Sequence, residues 1–147
     1  MRRSWSAIAL TTAAAVASTA CTTLPPEGQA RVERALPEQA RALAAGAVAR
    51  STLHDDPHAT IQLVRLTGPI APHRHLHSEE IVYLVSGAGV LHLRDGDVEL
   101  RAGDLTVIPR NTPHGFTPTG SEPAVVLSTF VPHFVAGDRV MEAAATQ

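Results

Sequence analysis

The chain has 147 residues, enough for one domain with a real core and too few for two. Its 12 basic residues are all arginine against 14 acidic ones, and the resulting net charge of −2 argues against nucleic acid as a partner. Aromatic content is 3% beside a hydrophobic content of 44%, so the core has to be built from Val, Leu, Ile and Ala.

Residues 1–20 read as a targeting segment. Arg2 and Arg3 form a positive start, Ala7 to Ala17 an apolar stretch too short and alanine-rich to persist as a membrane span, and Ser18-Thr19-Ala20 a run of small residues. Cys21, the single cysteine, follows at once, where a bacterial lipoprotein carries its lipidated residue. The expectation is an exported protein of the bacterial cell envelope, periplasmic and touching the membrane only through Cys21. The alternative is a cleaved secretory signal that leaves Cys21 without a role. Residues 21–36, with Pro25-Pro26 and Gly28, read as a tether.

A helix is expected over residues 37–50, because Pro37 suits a first helical position and Ala40, Leu43, Ala44, Ala47 and Val48 fall on one stripe. The domain proper spans 51–136. Its strands begin near Thr60, where Ile61 to Leu66 alternates, and Gly68-Pro69 breaks the run. After Gly87 come Val90 to Arg94, an Asp95-Gly96 turn and Val98 to Arg101, a strong hairpin signal. Ala124 to Val131 supplies a last long strand, and 137–147 reads as a frayed tail. Short strands at even spacing specify an all-β barrel or jelly roll whose interior holds side chains or one small ligand.

The chemistry concentrates in Pro72 to Glu80. On a strand, His73 and His75 share a face with Cα atoms roughly 6 to 7 Å apart, close enough for two imidazoles to grip one ion. Glu80, five residues past His75, can bring a carboxylate to the same point once the chain bends. His77 keeps the alternation and is a possible further pocket residue. Strict alternation from Glu80 turns Val82 and Leu84 inward and Tyr83 outward, and His92 lies on a barrel strand with either orientation open. His54, His58 and His133 read as ordinary surface or core histidines. Downstream, Gly103 to His114 is a β-rich run ending in a Pro/Asn turn that delivers one more histidine.

The two stretches resemble the paired motifs of the cupin superfamily. The first reads His73-x-His75, four residues, Glu80, six residues, Gly87; the second reads Gly103, five residues, Pro109, with His114 five further on. Fifteen residues separate Gly87 from Gly103, the short connection of a compact single-domain cupin. Gly68 stands one residue nearer His73 than the pattern has it, Asn111 replaces a glycine and Pro118 an asparagine, none of them a ligand position. Asn111 can still occupy a turn that needs positive φ.

The resemblance implies a cupin-like jelly-roll β-barrel with a short N-terminal helix, a homodimer, and a metal held by His73, His75, Glu80 and His114. Three imidazoles and a carboxylate suit a divalent transition metal (Fe, Mn, Ni, Zn, Co or Cu), whereas calcium and magnesium want mostly oxygen. Val82, Leu84, Val107 and the residues near Phe116 suggest an apolar surround in which a small oxygen-rich ligand binds chiefly by chelation. Two functions follow: a metal-dependent enzyme of dioxygenase, isomerase or decarboxylase type, or a non-catalytic module that captures a small ligand or metal at the envelope. No second polar catalytic group is evident in the sequence.

Overall fold

The computed structural model describes residues 30–142. One helix, α1 (Leu36–Arg41), precedes ten strands: β1 (Val48–Asp55), β2 (Thr60–Leu66), β3 (Ile70–His75), β4 (Glu79–Ser86), β5 (Ala88–Leu93), β6 (Gly96–Arg101), β7 (Leu105–Ile108), β8 (His114–Thr119), β9 (Ala124–Val131) and β10 (Arg139–Met141). They form two antiparallel five-stranded sheets, in the orders β1-β2-β9-β4-β7 and β10-β3-β8-β5-β6. The result is the all-β jelly-roll barrel with a short helix.

Register carries the interior. In the first sheet Val64 stands opposite Val126 and Val126 opposite Leu84. In the second, Ile70 pairs with Phe116 and Phe116 with Leu91. These side chains meet between the sheets as one buried cluster that also holds Leu66, Ile108 and Ala124. The outer face of β2 and β9 is covered as well, since Leu63 and Val125 pack against Ala40 of α1. That second layer explains why Ala124, Val125 and Val126 are all buried, an unbroken apolar run rather than an alternating one. Gly87 joins β4 to β5 at φ +80°, and an added Cβ would stand 2.7 Å from the Pro123 carbonyl oxygen, so both conformation and space require glycine there.

The structure departs from the sequence reading at both ends of the domain. The expected helix over 37–50 stops at Arg41, and residues from Val48 onward belong to a strand. The alanine stripe offers little area to bury, whereas Val48 to Asp55 gains a ladder along β2 interrupted only at Leu53, so sheet pairing overrides the weak helical pattern. The expected frayed tail over 137–147 contains β10 instead, paired to β3 with Arg139 opposite His75 and Met141 opposite His73. Cys21 and the segment assigned to targeting lie outside the described residues.

Candidate metal centre

The two sheets each contribute to one point. His73 and His75 lie on β3, and His73 is directly opposite His114 on β8; Glu80 comes from β4 of the facing sheet, between Phe130 and Ile108. All four residues are buried, and one ligand atom from each lies within 4.8 Å of the others. The imidazole centroids are 4.3 to 5.6 Å apart. The turn carrying His114 is held by Asn111 at φ 65°, whose N–H donates to the His75 carbonyl and so ties the second motif to the first.

The ring orientations are fixed from behind. His73 Nδ1 meets the Ala71 carbonyl at 2.9 Å, His114 Nδ1 meets the Thr112 carbonyl at 2.8 Å, and His75 Nδ1 meets Asp138 Oδ2 at 3.1 Å. These oxygens only accept, so each Nδ1 carries the proton and each neutral ring presents its Nε2 lone pair. His114 Nε2 lies 3.1 Å and His75 Nε2 3.4 Å from Glu80 Oε2. The buried His75 Nε2 has no hydrogen-bond partner.

Lone pairs of neutral imidazoles facing a carboxylate demand a cation among them, supplied by extra protons or by a metal. Burial alone would raise the Glu80 pKa; with extra protons on His114 and His75 in place of a metal, their hydrogen bonds and charge hold it well below the usual carboxylate range. Burial pushes His73 down to about 4, keeping that ring neutral and able to ligate. A metal with bonds near 2.1 Å would set neighbouring ligands roughly 3 Å apart, in line with the separations from Glu80. The donor set therefore fits a divalent transition metal and could hold one.

Asp138 is the residue that sequence reasoning missed. It is fully buried and takes hydrogen bonds from Ser78 Oγ at 2.6 Å and the His77 N–H at 2.6 Å while accepting from His75. Burial would raise its pKa, but the Ser78 and His77 hydrogen bonds hold it below the ordinary value. An aspartate between a glycine and an arginine, in a stretch with no periodicity, gives no local signal of such a role.

Two sequence candidates fall elsewhere. His77 is exposed, and its part in the site is its backbone N–H to Asp138. His92 lies outside the cavity, with Nδ1 2.9 Å from Asp97 and Nε2 2.9 Å from Thr117, because inward-facing Leu91 sets the neighbouring residue outward. Tyr83 is 40% exposed on the outer face, as alternation requires, and His54 pairs with Asp56 at the surface.

The cluster opens into a cavity of about 80 Å³, room for several waters or one small ligand. Its surround is mostly apolar, with Val82 and Phe116 on the wall as expected, but polar groups join them. Val107 is 51% exposed and turns outward, which brings Thr106 inward. Gln62, Ser128, Val82 and Thr106 form one cross-strand row on the wall, and Arg50 and Arg139 also line the cavity. Exchanging Asp138→Asn should weaken metal binding about 10- to 100-fold, since the amide no longer enforces the His75 orientation through a charged acceptor. Competition with a chromophoric chelator measures this; unchanged affinity would reduce Asp138 to a fastener for β10.

A cupin domain family model matches residues 62–130. An uncharacterised protein of Methanocaldococcus jannaschii is 30% identical over 95 residues, covering 60% of this chain and 76% of that protein. The solved structure of a Streptomyces Pac13 variant with uridine is 28% identical, with a TM-score of 0.58 over 65% of this chain and 78% of that one; Pac13 is described as a nucleoside dehydratase. KdgF from a Halomonas species is 27% identical, with a TM-score of 0.56 over 60% of this chain and 82% of that one. A Klebsiella pneumoniae protein with a double-stranded β-helix domain shares the fold, with a TM-score of 0.65 and 22% identity over 79% of this chain and all of that one. The paired sheets and the matched stretch, which carries both motifs, make this chain a member of the cupin superfamily.

Proposed function

We propose that this cupin is a metal-dependent enzyme acting on a small, oxygen-rich chelating molecule, with His73, His75, Glu80 and His114 as the ligands. The observation that carries the reading is the inward aim of three Nε2 atoms, each with its Nδ1 committed to a fixed acceptor, around one buried carboxylate. A divalent transition metal bound there would act as a Lewis acid and as a template with open positions for substrate oxygens.

What the chain's own residues add is binding and exclusion. Phe130 and Phe134 pack edge-on to His75 at centroid distances of 5.1 and 5.7 Å and wall that side of the site from water. Gln62, Ser128 and Thr106, on the same sheet as Phe130, offer hydrogen bonds to substrate hydroxyl or carbonyl groups. Among the described residues lining the cavity, no carboxylate or imidazole stands outside the four-residue cluster. No separate side chain is thus placed as a general base, which favours oxygenase-type chemistry over isomerisation or decarboxylation that leans on a protein base.

The substrate-facing polar wall favours an enzyme over a module that merely stores metal, which would gain from closing the site. We place the protein at the bacterial envelope, held by a lipidated Cys21 and acting as a homodimer. The exposed Tyr83, Leu105 and Val107 on the outer face of β4 and β7 offer an apolar patch to a second copy. Membrane fractionation of a Cys21→Ser protein as complete as that of the parent would remove the anchor from this account. For the reaction, the Fe(II)-loaded protein should consume oxygen and convert at least one member of a panel of small diketones, catechols, flavonols and hydroxy acids. Tight binding without turnover under Fe(II), Mn(II), Ni(II) and Zn(II) alike would favour the non-catalytic binding module instead.

A further inference from the structure

We propose that Arg50 and Arg139 form a clamp at the cavity mouth for a small molecule bearing a carboxylate, whose remaining oxygens face the His73-His75-Glu80-His114 cluster. This deepens the functional reading above by naming the substrate class.

Arg50 lies on β1, the edge strand of one sheet, and Arg139 on β10, the edge strand of the other, and both side chains line the same cavity. Neither forms an ion pair with any carboxylate of the described residues. The Nε of Arg139 is buried without a hydrogen-bond partner. Its Nη2 lies 3.4 Å from His73 Nδ1, but that nitrogen donates its proton to the Ala71 carbonyl and offers no lone pair.

Two guanidinium groups facing one small cavity repel each other. Glu80, the one carboxylate lining the cavity, offsets part of this repulsion and leaves two guanidinium charges against one carboxylate. The buried Arg139 Nε–H and the excess positive charge it shares with the exposed Arg50 are both relieved by an anion that accepts from the two forks. A planar carboxylate matches a guanidinium fork and suits a cavity of about 80 Å³ better than a tetrahedral phosphate ester does. The hydroxyl and amide groups of Thr106, Ser128 and Gln62 then face the body of the molecule, as they would for a hydroxy or oxo acid.

Calorimetric titration of the metal-loaded protein with succinate, its neutral analogue succinamide and inorganic phosphate tests the clamp, alongside Arg50→Gln, Arg139→Gln and the double variant. Metal content and melting temperature are measured on every protein. Succinate should bind, succinamide should not, and phosphate should bind more weakly. Each single variant should lose about tenfold in succinate affinity, near the contribution of a charge-assisted hydrogen bond, and the double variant should lose measurable binding with metal content unchanged. Equal binding of succinate and succinamide, unaltered affinity in the double variant, tighter phosphate binding or no succinate binding by the parent would each overturn the proposal. Arginine-dependent succinate binding by a protein that takes up no metal would uphold the clamp and sink the metal reading, so the two can fail separately.

Discussion

The site depends on three hydrogen bonds made behind the histidines. Ala71, Thr112 and Asp138 each supply an oxygen that can only accept, and each fixes an imidazole with its Nε2 pointing into the barrel. Each acceptor needs a different long-range feature. The Ala71 carbonyl lies where β3 shifts register against β8 between Ile70 and His73, the Thr112 carbonyl requires the Asn111 turn at positive φ, and Asp138 requires the chain to return after β9 to the edge of β3. Loosening any one frees a ring to rotate, and the convergence on Glu80 is lost. The fold serves the site by holding backbone carbonyls, not only side chains, in place.

The barrel also divides its interior along the strands. Toward one end Val64, Leu66, Leu84, Leu91 and Phe116 pack between the sheets as an apolar cluster, and all but Leu84 also line the cavity. Toward the other, the row Gln62, Ser128, Val82 and Thr106 and then the ligand cluster replace hydrocarbon with donors and acceptors. The apolar end provides the hydrophobic stabilisation that lets the other end tolerate a buried carboxylate, three imidazoles and an unsatisfied guanidinium nitrogen. Edge strands β1 and β10 border the opening, and both bring an arginine to it.

Much of this was legible in the sequence where the pattern is local. The alternation of Ile61 to Leu66, the run Ala124 to Val131 and the spacing of His73, His75, Glu80 and His114 each carry their meaning within a few residues, and the structure brings those four side chains together. Asn111 could be assigned a turn because few other residues accept positive φ. The roles of Arg50 and Asp138 are set by pairing with distant strands, 14 residues apart from Val64 in one case and 63 from His75 in the other. Arg50 fell inside an apparent helix and Asp138 inside an apparent tail, since nothing near them in sequence signals which strand they meet. Within a wall that is mostly apolar as the sequence implies, Val107 departs for a similar reason: Thr106 and Val107 exchange faces if the strand is entered one residue out of register.

The central claim is that His73, His75, Glu80 and His114 form one metal centre. Elemental analysis of the purified protein beside its His73→Ala, His75→Ala, Glu80→Ala and His114→Ala variants tests it most directly. The account predicts about one divalent transition metal per chain in the parent and a marked loss in every variant. Full occupancy in the folded His114→Ala protein, or a parent that takes up no metal from any of the six candidate ions, would contradict it.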